Sequence, residues 1–162
     1  YNKISSPDVE NPVKILIDTV HEIAPEYAEL HWRYLHSAIH AIAEEDYKNG
    51  RYFEATTKAV QLYVQRVRDI AAIDSEDMDK IFNPGNGVLK VTDCNNETER
   101  NIQNGHQFLS RGIIAGCRNP LTHNPEYEKH LVNTGLFTEK DCLDMLAVIS
   151  HLFKRMDKAK KR

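Results

Sequence analysis

The sequence predicts an all-α fold, a bundle of about five helices with one long irregular connection over residues 73–97. Three observations carry that expectation. Apolar residues recur at helical spacing in five separate stretches. No stretch reads convincingly as a strand. The 162 residues, 41% hydrophobic and 28% charged, describe one ordinary globular domain large enough to bury a core.

The first helix is expected from Asn11-Pro12, a cap followed by proline at the first helical position, to Ile23 or Ala24. Val13, Leu16, Ile17, Val20 and Ile23 form its apolar stripe, and Pro25 ends or kinks it. A second helix is expected over 26–48, with Leu30, Leu35, Ala38, Ile39 and Ile42 inward and Asn49-Gly50 as its stop. The third, over 51–72, has the widest apolar face: Phe53, Val60, Tyr63, Val64, Val67, Ile70 and Ala71. Lys58, Gln61, Gln65, Arg66 and Arg68 supply its polar side.

Residues 73–97 are less regular. Asn83-Pro84-Gly85-Asn86-Gly87 is a turn, and 88–91 is either extended or a helical turn. So long a connection either folds over a functional face or is a plain loop with Ile81, Phe82 and Leu89 tucked onto the core. The fourth helix is expected over 97–117, with Ile102, Leu109 and Ile113 on its inner side and Phe108 and Ile114 flanking. Gly105, Gly112 and Gly116 share one face. Glycine costs about 1 kcal/mol relative to alanine inside a helix, so three together predict a close partner. That partner is a neighbouring helix of the bundle or the same helix of a second subunit.

Thr138 to Asp141 resembles a capping box with Asp in place of Glu. It opens a final helix of about 20 residues striped by Cys142, Met145, Leu146, Ile149, Leu152, Phe153 and Met156. Residues 154–162 hold six basic residues against one acidic, a local +5 in a chain of net charge −3. The basic tail at 159–162 either attracts RNA by counterion release or continues a helix end that favours cations and frays into solvent. The second is the expectation.

The net charge of −3 argues against a surface built for broad nucleic-acid binding. No run of 18 apolar residues and no signal-peptide pattern occurs, so nothing argues for a membrane span or secretion. Cys94, Cys117 and Cys142 are odd in number and lack C-x-x-C spacing; they read as free thiols in a reducing cytoplasm. Cys117 beside Arg118 is either a thiol of lowered pKa or, as expected, a small core hydrophobe. A start at Tyr1 rather than Met reads as a fragment of something longer.

The chemistry-bearing stretch is Arg118-Asn119-Pro120-Leu121-Thr122-His123, followed by Asn124-Pro125. A guanidinium that is always charged and an imidazole that titrates near neutrality stand five residues apart. On one unbroken helix they would diverge by about 140°. A break with Asn119 as cap and Pro120 opening a new turn lets both face one cleft, beside the free N–H groups of a helix start. Such a site suits a phosphate. The alternative is a capped turn whose Arg pairs with a carboxylate and whose His caps a carbonyl. On the second helix His36 and His40 are four apart. Without a carboxylate between them or a third ligand placed by spacing, no metal site is expected, and no cofactor motif is present. They are read as polar lining of a cleft near Glu44, Glu45 and Asp46, or as a solvated helix face.

R-N-x-x-x-H after an apolar helix, followed by a loop and an amphipathic last helix, resembles the signature of the HEPN superfamily. Within it the chain is most similar to a Ymh-type family, through residues 35–68 (LHSAIHAIAEEDYKNGRYFEATTKAVQLYVQRVR) and 104–124 (NGHQFLSRGIIAGCRNPLTHN). The resemblance covers about 31–158. It implies a metal-independent endoribonuclease at a homodimer interface, of the toxin or phage-defence kind, held in check by an antitoxin or a sensor domain. Arg118, Asn119 and His123 would be catalytic, with Thr122, Asn124, His36 and His40 contacting the RNA. A non-catalytic HEPN module binding nucleotide, RNA or protein is the alternative, and a structural oligomerisation bundle the third.

Overall fold

The helix with the widest apolar face becomes the centre of the fold. In a computed structural model that describes residues 31–118, 131 and 134–162, the chain is all-α and divides by its contacts into two units, Tyr1–Tyr34 and Leu35–Arg162. Of the first unit only 31–34 are described: 31–33 are helical, and Tyr34 N donates to His31 O at 3.4 Å. The helix expected over 11–24 lies outside the described residues.

The second unit runs α1 (Ser37–Lys48), α2 (Tyr52–Ala71), α3 (Met78–Phe82), β1 (Leu89–Lys90), α4 (Glu97–Ile113), a π turn (Ile114–Arg118), α5 (Glu139–Met156) and β2 (Lys160–Lys161). Helix α2 packs against α1, α5 and the π turn. Phe53, Val60, Tyr63, Val64, Val67 and Ala71 are buried along it, against Leu146, Ile149, Leu152 and Phe153 of α5. The expected capping box opens α5: Thr138 Oγ1 accepts from Asp141 N, and Asp141 Oδ2 accepts from Thr138 N at 2.6 Å.

One helix over 26–48 is not what forms. Residues 34–36 leave the helix, and α1 restarts at Ser37 with His36 as its extended N-cap. Histidine is not a favoured cap, so local propensity hides the break. Contacts to α5 make it: His36 N donates to Ser150 Oγ at 2.8 Å, and its ring stacks on Phe153 with centroids 5.2 Å apart. The Asn49-Gly50 stop forms as expected, with Gly50 at φ +72°. Asp46, buried beside that turn, accepts from Arg51 Nε at 2.8 Å and Lys58 Nζ at 2.6 Å. Burial raises its pKa, but these two hydrogen bonds outweigh burial and hold the carboxyl below its usual range.

The long connection tucks in. Ile81, Phe82 and Leu89 are fully buried, and a Cβ at Gly87 would lie 2.6 Å from Asn83 O and 2.7 Å from Ile81 O. Residues 89–90 are extended and pair antiparallel with Lys160–Lys161. The basic tail therefore does not fray as expected. Arg162 N donates to Val88 O at 2.9 Å and its guanidinium to Pro84 O, because the edge of β1 offers backbone partners that solvent would otherwise fill.

Helix α4 overturns one expectation. Its buried side is Gln103, His106, Gln107, Ser110 and Ile113, while Phe108 is 62% exposed and Leu109 44%. The inner face of the helix is therefore mostly polar, for reasons that lie in its partners. Gln103 Nε2 donates to Phe82 O and Leu89 O at 2.9 and 3.0 Å, and its Oε1 accepts from Val91 N at 2.9 Å. One side chain thus satisfies three backbone groups of the connection. Among the described residues the glycine face meets nothing: a Cβ at Gly105, Gly112 or Gly116 would have none of their atoms within 4 Å. Among the described residues, no neighbouring helix packs there.

Candidate functional site

The motif arginine stands at the end of the π turn. The regular helix expected to 117 stops at Ile113, and one π turn carries the chain to Arg118. Such turns widen the backbone and leave carbonyls to be satisfied elsewhere; Thr57 Oγ1 of α2 donates to Cys117 O at 3.0 Å. Cys117 is buried with its sulfur 3.4 Å from Met145 Sδ, and burial pushes its thiol up. It is a core hydrophobe rather than an activated thiolate.

Anchored by Cys117, Arg118 reaches the polar side of α2. It lines a cleft of about 230 Å³ with Gln61, Val64, Gln65, Arg68 and Glu76. Arg118 Nη1 donates to Glu76, whose other carboxylate oxygen lies 3.6 Å from Arg68 Nη1. Arg68 also pairs with Asp74. Two guanidiniums therefore converge on one carboxylate, with two glutamine side chains beside them. Asn119, Thr122, His123 and Asn124 lie outside the described residues.

His36 lines a different cleft, of about 240 Å³, with Leu62, Gln65, Arg66, Phe153 and Asp157 among its walls. Its Nδ1 accepts from Ala38 N at 3.1 Å, so the neutral ring carries its proton on Nε2 and donates to Asp157 Oδ2 at 3.0 Å. His40 Nδ1 stands 3.6 Å from Glu44 Oε2 and is not part of that wall. The two histidines thus serve different carboxylates instead of sharing one lining, because His36 is the cap and not a helical residue. Gln65 lines both clefts, which adjoin across α2.

A family model described as a protein of unknown function (Hypoth_ymh) matches residues 33–156. The chain belongs to this family. No curated protein and no solved structure matches it. The Hypoth_ymh match spans α1 to α5, includes the whole Arg118 cleft and all of the His36 cleft but Asp157, and stops before β2. Among the described residues of this Hypoth_ymh protein, no three His, Cys, Asp or Glu side chains group as a metal site requires. No helix among them is long and apolar enough to cross a membrane.

Arg68 and Glu76 were missed as site residues. Arg68 reads as one more charge on a polar helix face, and Glu76 sits 42 positions from Arg118, so no spacing rule joins them. A second cluster was also missed. Ser110 Oγ donates to His106 O at 2.7 Å and accepts from Tyr63 OH at 2.7 Å. The Tyr63 oxygen is then left to accept from His106 Nε2 at 3.0 Å. That closed ring leaves His106 Nδ1 as a buried lone pair with no hydrogen-bond partner among the described residues. Burial, with Arg155 and His151 adding repulsion, pushes this imidazole down to about 3. The legible signal was polar residues at 103, 106, 107 and 110, themselves a helical stripe.

Proposed function

We propose that this chain is a HEPN-type, metal-independent endoribonuclease acting as a homodimer. The observation that carries the reading is the Arg118 cleft, where two guanidiniums converge on one carboxylate beside two amide side chains, a donor set that also suits a phosphate. In RNA the 2′-OH is already the nucleophile. It attacks the adjacent phosphorus, the P–O5′ bond breaks, and 2′,3′-cyclic phosphate and 5′-hydroxyl ends remain. The protein need only move two protons and steady the charge on the phosphate oxygens. His123, whose reference pKa is about 6.5, takes the proton from the 2′-OH; Arg118 holds the phosphate. A second His123 across a two-fold axis protonates the leaving oxygen. The open glycine face of α4, which runs directly into the motif, supports contact between copies there.

The test is incubation with total RNA, wild type beside His123→Ala. The expected outcome is cleavage by wild type that persists in excess chelator and leaves cyclic phosphate ends. A loss of at least about a hundredfold is expected in the variant, with its circular dichroism spectrum unchanged. A folded variant that cuts at the wild-type rate removes His123 from the mechanism. The second reading, a HEPN module that binds without cutting, is favoured by the engagement of Arg118 with Glu76. A stable dimer inactive on every RNA supports it.

A further inference from the structure

The Arg118 cleft already contains an anion, and it belongs to the protein. Glu76 lies between Arg118 and Arg68, at the place where two guanidiniums would hold a phosphate. Its attachment is light. It stands on the short connection between α2 and α3, just after Ala72, whose left-handed φ of +55° ends α2. The Glu76 side chain is 37% exposed, and those of Arg68 and Arg118 are 32% and 24% exposed. An ion pair so open to water shifts an equilibrium by only about two- to fivefold. Turning one glutamate side chain outward therefore removes the carboxylate that both guanidiniums share without moving a helix, while Arg68 keeps its pair with the exposed Asp74. A carboxylate and a phosphodiester each present two oxygens sharing one negative charge, so they suit the same donors.

We infer that Glu76 is a built-in competitor for the phosphate site, that Arg68 is a second phosphate-binding residue, and that ligand phosphate enters by displacing the Glu76 carboxylate. The inference rests on the reading of Arg118 as a phosphate ligand, but it does not require RNA cleavage. It also accounts for a like-charged arginine pair in the lining of one cleft. The carboxylate relieves their repulsion while no ligand is bound, and it screens the site against weak anions.

The test is titration of the full chain with inorganic phosphate at constant ionic strength, followed by phosphorus NMR. Glu76→Gln is expected to bind phosphate about threefold tighter than wild type, the scale of one part-exposed pair. Adding Arg68→Gln should cancel that gain. Asp144→Asn, the same charge change at an exposed site on α5, should leave affinity at the wild-type value. Equal affinity in wild type and Glu76→Gln overturns the inference, as does an equal gain in Asp144→Asn or a gain that survives Arg68→Gln. A lower melting temperature for Glu76→Gln with unmoved phosphate affinity would make the pair purely structural, which also overturns it. Cleavage is scored separately. A tightened phosphate site on a chain that cuts no RNA removes the nuclease and keeps the competitor; cleavage with unmoved phosphate affinity does the reverse.

Discussion

The two faces of α4 have exchanged their usual roles. One face is buried and mostly polar: Gln103, His106, Gln107 and Ser110. The other carries Gly105, Phe108, Leu109, Gly112, Ala115 of the π turn and Gly116, and much of it is open to solvent. Burying polar atoms costs free energy unless each finds a partner. Here nearly all do, through backbone groups of the 82–91 connection and the Tyr63–Ser110 ring. The difference teaches that hydropathy locates a helix but does not choose its inner side when the neighbour is irregular backbone rather than another apolar stripe. A loop without regular pairing needs donors and acceptors, and amides supply both.

The sharpest way to break that contrast is Gln103→Leu. The change keeps volume and makes the helix conform to ordinary patterning, yet it strands Val91 N, Phe82 O and Leu89 O. Each buried orphan costs about 1–3 kcal/mol, so a total loss of about 3 kcal/mol or more is expected in urea unfolding. A neutral or stabilising result would show that water reaches those groups and that the polar face is incidental.

A second effect should appear with acid. His106 is held neutral in the fold at a pKa of about 3, whereas the unfolded chain takes up its proton near about 6.5. A depressed folded pKa contributes stability that is complete above the unfolded value and is lost as pH falls. Between pH about 6.5 and about 3, one such group costs about 1.4 kcal/mol per pH unit. His151 is shifted the same way, chiefly by burial, but it sits on the exposed side of α5 and adds a smaller, screened share. Denaturant unfolding at pH 7 and pH 5 should therefore differ by about 2 kcal/mol. Equal stability at both values would mean that the ring opens and His106 titrates in water.

The smallest effect, and the one opposite in sign, belongs to the open face. A Cβ at Gly112 meets no atom of the described residues within 4 Å, and replacing a helical glycine in Gly112→Leu should stabilise an isolated protomer by about 0.5–1 kcal/mol. If two copies meet on that face, the same side chain overpacks the contact and separates them. Light scattering beside thermal unfolding reads both quantities. Falling mass with rising protomer stability is the expected pair, and cleavage should fall with the mass. Unchanged mass would move any dimer contact elsewhere.

Particular elements show how far the sequence reached. The stripe of α2 and the Thr138–Asp141 capping box were legible because the interactions that make them lie within a few residues. The same holds for the Asn49-Gly50 stop and for Arg118 as a group of interest. The break at His36 was not legible, since it depends on Ser150 and Phe153, more than a hundred positions away. The tail is similar: a run of lysines carries charge in its sequence, but only the unpaired edge at 88–90 turned it into a strand.

By itself, then, the sequence determined the all-α class, the central helix and the arginine that ends the π turn, because period, caps and glycines act over one or two turns of chain. Only the tertiary structure decided which side of α4 faces inward and which anion Arg118 meets. Gln103 is buried because three distant backbone groups need it. Arg118 meets Glu76 because the packing of the π turn on α2 brings residue 118 to the connection that follows α2. Those pairings join chain segments 12 to 42 residues apart, and no local rule of propensity extends that far.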